Sequence, residues 1–159
     1  MATSIYGSLH ERRVNKIIAL FLSLSEARGE KTPCFRRASL LKRRIYTMIR
    51  DMKANGSLTP FLQAAFSSRN APRLSKKLKD NEYYAFLRVI LRGKVSRRPG
   101  EIIRIARELK YAQKHDVPEE FLIGFLYQCG SHARIVEMLA AGKMEPWWEY
   151  LKAPGKALK

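Results

Sequence analysis

Apolar positions recur at helical spacing along most of this chain. Between Arg36 and Lys53 (RRASLLKRRIYTMIRDMK), Leu41, Ile45, Met48 and Met52 fall on one side of a helix, with Ile49 at its margin. The other side gathers Arg36, Arg43, Tyr46, Thr47, Arg50 and Lys53. Burying the first set turns the second outward, so this stretch reads as a scaffold that holds a cationic face.

Taken in order, the chain opens with Ser8 and Glu11 in capping-box spacing ahead of Val14, Ile17, Ile18, Phe21 and Leu24, which predicts a first helix over 9–28. Leu20 and Leu22 widen its apolar arc, as expected of a central, mostly covered helix. Pro33 separates it from the Arg36–Lys53 helix, which should end near Asn55 with Gly56 as its left-handed residue. Thr59 and Pro60 read as cap and first turn of a third helix that buries Phe61, Leu62, Ala65 and Phe66. Residues 69–79 form a basic loop or short helix, with Leu74 and Leu78 holding one amphipathic turn.

Asp80 or Asn81 caps a fourth helix (Tyr83, Tyr84, Leu87, Ile90, Leu91) that Gly93 ends, and KVSRRPG (94–100) is a second basic connector. Pro99 opens a fifth helix with Ile102, Ile105, Ala106, Leu109 and Gln113 on one side and Arg104, Arg107, Tyr111 and Lys114 on the other. Asp116, Pro118, Glu119 and Glu120 start a sixth helix with the polarity its dipole favours, and Phe121, Leu122, Phe125, Leu126 and Cys129 form its buried side. Gly130 and Ser131 end that helix and cap a seventh, with Ile135, Val136 and Leu139 inside and Gly142 after it. A last short helix begins near Pro146 with Trp147, Trp148 and Leu151. No segment sustains alternation at period two. The expected fold is all-α, a single domain of about seven or eight short helices packed as successive hairpins.

Charge adds a functional dimension. The 159 residues carry a net charge of +17, far beyond what solubility needs. It is unevenly placed: residues 1–60 hold 12 basic and 4 acidic side chains, residues 61–116 hold 14 and 5, and residues 117–159 hold 5 of each. The chain therefore divides into a basic binding part (1–116), a neutral C-terminal helical part (117–152) and a flexible tail (153–159). Such concentrated charge points to a polyanion, foremost a nucleic acid, with an acidic protein or acidic membrane as the other options. The candidate contacts are Arg36, Arg37, Arg43, Arg44, Arg50 and Lys53; Arg73, Lys76 and Lys77; Arg97 and Arg98; and Arg104, Arg107 and Lys114. Tyr46 and Tyr111, interleaved with these cations, are the expected platforms for stacked bases.

A helix-turn-helix over 39–68 would place PFLQAAFSS in a groove, a probe without cations for the flanking phosphates. Cations spread over several elements suit backbone contact with structured RNA better, though DNA binding carries the same signature. No reacting constellation is present. His115 and Asp116, and Ser131 and His132, are sequence neighbours at helix ends, where caps explain them, and no phosphate loop, dinucleotide fingerprint or metal-ligand cluster occurs. A non-enzymatic protein with no cofactor and no metal is expected. Cys34 and Cys129 read as reduced, small apolar residues.

The longest apolar run, Ile17–Leu22, is too short to span a bilayer, and the N-terminus lacks a secretory pattern. Early Glu11, Glu26 and Glu30 argue against a long cleaved transit peptide, so cytoplasm or an organelle matrix such as the mitochondrial one is expected. Trp147 and Trp148 are adjacent and cannot both face one core, which leaves a protein-partner site or a clamp on the C-terminal turn.

Residues 83–150 read as two helix pairs. The stretch PEEFLIGFLYQCGSHARIVEMLAAGKMEP, with Leu122 and Ile123 in its first helix, Cys129 and Gly130 at the turn and Gly142 and Pro146 at the exit, resembles a pentatricopeptide repeat hairpin. That resemblance implies RNA binding within a helical solenoid. The composite expectation is an RNA-binding component or assembly partner of a ribonucleoprotein such as a ribosome. A DNA-binding accessory protein and an adaptor for acidic proteins are the alternatives.

Overall fold

Eight α-helices and no strand occur among the described residues of the computed structural model, which are 3–23, 37–67, 72–92 and 99–152; the side chains of 3–10, 77 and 150 are not described. The helices are α1 (Thr3–Leu22), α2 (Arg37–Ala54), α3 (Leu58–Phe66), α4 (Glu82–Ile90), α5 (Pro99–Lys114), α6 (Leu122–Gln128), α7 (His132–Ala140) and α8 (Pro146–Lys152). Short 3-10 turns at Lys76–Leu78 and Glu119–Phe121 complete the fold. The all-α expectation holds, and no described helix is long and apolar enough to cross a membrane.

Three helices end in the same device. Gly56 (φ 71°), Asp116 (φ 50°) and Gly142 (φ 67°) adopt the left-handed conformation. In each case the next residue's N–H reaches back five residues: Ser57 to Met52, Val117 to Ala112 and Lys143 to Met138. These are Schellman ends, which satisfy carbonyls that the helix leaves without partners. At the other termini, Asn81 accepts from the Tyr84 N–H and Ser131 from the Arg134 N–H, both as N-caps. Asn81 is buried, and its amide also donates to the Ala106 carbonyl at 3.1 Å, tying the start of α4 to the middle of α5. Two caps differ from expectation. The backbone of α1 is already helical at Thr3, so Ser8 lies inside it, and α3 begins after Ser57 rather than Thr59.

The central element is α2 and not α1, which packs mainly against α2. Leu41, Ile45, Met48, Ile49 and Met52 are buried as the apolar stripe requires, but Tyr46 and Ser39, off that stripe, are buried too. Helices α1, α3, α4, α5 and α6 all touch α2. With Ile17, Phe21, Phe86, Leu87, Ile105, Leu109 and Leu122, this stripe forms one continuous core. Each fully buried side chain of this size contributes about 1.5–3 kcal/mol. Helix α5 packs against α4, α6 and α7, so α7 closes on α5 and brings the neutral C-terminal part against the basic one.

Candidate nucleic-acid interface

The expected cations divide into two groups according to what holds them. Arg50 Nη1 donates to the Val117 carbonyl at 2.7 Å, and Nη2 lies 3.5 Å from Asp116. Lys53 Nζ is 2.6 Å from Glu82, which Lys110 approaches at 3.4 Å, so α2, α4 and α5 meet on one carboxylate. Burial raises the Glu82 pKa, but Lys53, Gln113 and Lys110 outweigh it and hold the carboxyl below its usual range. Lys114 donates to the Lys143 carbonyl and Arg37 to that of Ser23. These side chains brace the fold as well as adding charge. Arg44, Arg73, Lys76 and Arg104 are exposed, whereas Arg43 and Arg107 are half-buried. Arg36, Arg97, Arg98 and the side chain of Lys77 lie outside the described residues.

Both expected stacking platforms are corrected. Tyr46 and Tyr111 are 0% exposed, so neither ring can receive a base. Tyr46 stacks on Tyr83 (centroids 6.1 Å apart, planes 8° apart) and donates its hydroxyl hydrogen bond to the Val117 carbonyl at 2.8 Å. Tyr111 donates to Glu145 at 2.7 Å. Their helices are gripped on more than one side, which a single-helix projection cannot reveal.

The Tyr111 bond belongs to a buried network. Glu145, fully buried, accepts from Tyr111, from both terminal nitrogens of Arg134 (2.5 and 3.0 Å) and from Trp147 Nε1 (2.9 Å). The Arg134 bonds lower the carboxyl pKa, and despite opposition from burial it falls to about 2. The Glu145 backbone N–H donates to His115 Nε2 at 2.8 Å, so the His115 proton sits on Nδ1, which donates to the Tyr111 carbonyl at 2.8 Å. Both ring nitrogens of His115 are thereby used. Cys129 is buried beside this network, and burial together with Glu145 pushes its thiol up to about 12. Cys34 lies outside the described residues.

Trp148 is buried and donates to the His115 carbonyl at 3.0 Å, and both tryptophans pack on Phe125 at 5.3 and 5.6 Å. Trp148 is therefore sealed as a clamp on the C-terminal turn, while Trp147 stays half-buried; the two adjacent rings reach one core because Phe125 inserts against both.

The basic faces of α2 and α5 do converge, at Arg104, which was expected, and at Lys42, which was not. Lys42 Nζ lies 2.6 Å from Oε2 of the buried Glu108, whose Oε1 is 3.9 Å from Arg104 Nε and 3.6 Å from His132 Nδ1. Burial lowers the His132 pKa; Glu108 opposes this, and Arg107, Arg104 and Lys42 add to the lowering. Two cations, Lys42 and Arg104, on one carboxylate leave this cluster positive. It stands at a groove of about 470 Å³ between α2, α5, α6 and α7, whose apolar wall is Ile123, Leu126 and Ile135. On the same groove stands Tyr127, 73% exposed.

Lys42, Glu108 and Tyr127 escaped the sequence reading. Tyr127 had a usable signal, since it falls opposite the apolar stripe of Leu122, Phe125, Leu126 and Cys129 on its helix. Lys42 and Glu108 had none, because their pairing spans 66 positions of chain. No family model, no curated protein and no solved structure matches this chain, so a functional reading rests on this geometry.

Proposed function

We propose that this is a non-enzymatic RNA-binding protein, a component or assembly partner of a ribonucleoprotein such as a ribosome, which neutralises RNA phosphates with the cations of α2, α5 and their neighbours. The observation that carries it is the meeting of Lys42 and Arg104 at Glu108 on the groove where the exposed ring of Tyr127 stands. Cations next to an exposed aromatic ring suit a chain of phosphates with bases that can leave their stack. Glu108 supports this role by drawing Lys42 and Arg104 to one end of the groove, because one carboxylate cannot neutralise both. The exposed side of α3 offers Thr59, Pro60, Gln63 and Ala64 and no cation, which disfavours a DNA-reading probe at the helix-turn-helix position.

The test is binding to a structured RNA and a length-matched duplex DNA across a salt series, for the native protein and for Arg104→Ala/Arg107→Ala. Lys42 stays in place, because removing it strands the buried Glu108. RNA is expected to bind more tightly, with a steep salt slope that becomes shallower by about 0.7–0.9 for each phosphate contact removed. Weak binding to both polymers, unchanged in the variant, would sink the proposal; equal binding to DNA would move it to a DNA-binding accessory protein.

A further inference from the structure

Resting on the RNA-binding reading, we infer that the groove between α2, α5, α6 and α7 holds one unpaired nucleotide, its base on Tyr127 and the apolar wall and its phosphate at Lys42 and Arg104. A base inside a duplex is covered on both faces and cannot reach a ring standing on a helix wall. A bulged or terminal base can. The groove is divided to match such a ligand: Tyr127 offers an exposed aromatic face beside a floor of largely buried Ile123 and Leu126, and Lys42 and Arg104 gather at Glu108. Its volume of about 470 Å³ falls in the range of pockets that take small organic groups.

Tyr127 is the most exposed large apolar side chain among the described residues. Its neighbours on α6, Leu122, Phe125 and Leu126, are all buried, and the ring is turned away from the core that they share. An acidic peptide would satisfy the cations but would leave the flat face of this ring unused, whereas a nucleotide uses both.

The experiment compares two hairpin RNAs that differ only in one bulged nucleotide, with 2-aminopurine at the bulge, for the native protein, Tyr127→Phe and Tyr127→Ala. Because Tyr127 is exposed, both variants should melt like the native chain, which a thermal scan checks. The native protein and Tyr127→Phe should prefer the bulged hairpin about tenfold and change the 2-aminopurine emission; Tyr127→Ala should lose both effects and still bind RNA through its cations. Equal affinity for the two hairpins, or a preference that survives Tyr127→Ala, overturns the nucleotide site and leaves the RNA-binding proposal standing. Failure of the native protein to bind either hairpin overturns both. Displacement of the bulged hairpin by poly-glutamate at matched charge, in a manner sensitive to Tyr127→Ala, would overturn it in favour of an acidic protein ligand.

Discussion

Tyr111 donates its phenolic hydrogen to Glu145 across 2.7 Å, joining the last turn of α5 to the connector before α8. Both groups are fully buried, and Arg134 and Trp147 complete the carboxylate's partners. Breaking a buried charge pair costs more than the pair contributes net, because the surviving partner stays desolvated. Glu145→Ala should therefore destabilise the protein by about 3 kcal/mol, the low end for such a pair because Arg134 is itself partly exposed. Tyr111→Phe should cost about 1.5–3 kcal/mol as the loss of one bond to a charged group. Urea titration checks both; a Glu145→Ala midpoint equal to the native one would contradict the buried network.

Acid should weaken this fold in two stages. His115 is held below its ordinary 6.5, chiefly by burial, so the unfolded chain binds a proton that the native chain resists as pH falls below about 6.5. Glu145, lowered from 4.5 to about 2, contributes stability that is fully present above about 4.5 and is lost progressively as pH falls toward 2. Melting temperature against pH should decline across both windows, and Glu145→Gln should flatten the lower one. A melting temperature constant from pH 7 to pH 3 would contradict both assignments.

Arg50 and Tyr46 share one acceptor, the Val117 carbonyl, and the Arg50 guanidinium lies 5.5 Å from the centre of the Tyr46 ring. Tyr46→Phe removes one of the two donors and should cost about 1 kcal/mol of stability with no change in RNA affinity. Parallel unfolding and RNA-binding titrations would show the separation; a fall in affinity at unchanged stability would instead give Tyr46 a contact with RNA.

At Gly56 and Gly142 nothing lies within 4 Å of where a Cβ would stand, yet both have positive φ. Substitution by alanine should cost about 1 kcal/mol at each position, from the backbone alone. Asp116 adopts the same conformation with a side chain, and Asp116→Gly should stabilise the protein by a few tenths of a kcal/mol up to about 1 kcal/mol. Thermal melts of the three variants check the opposite signs.

Much of the architecture was legible because its signals are local. The Gly56 and Gly142 helix ends, Asn81 and Ser131 as caps and Pro99 at the start of α5 all depend on residues within one or two helical turns. The boundary of α1 was misread because Ser8 and Glu11 have cap spacing, but a cap residue only stops a helix when the preceding backbone leaves helical geometry.

By itself the sequence determined that the chain is helical, where most helices stop, and that its first three quarters carry the positive charge; these are properties of neighbours along the chain. Only the tertiary structure decided which faces survive as surface. It sealed Tyr46 and Tyr111, which one-helix projection turned outward, because α2 and α5 are each packed by several helices. It also set Lys42 against Glu108 and left Tyr127, from the neutral part, standing beside them. The physical reason is that helical periodicity assigns one inside and one outside to each segment. A helix at the centre of a fold has more than one inside, and which residues meet there is settled by packing between segments distant in sequence.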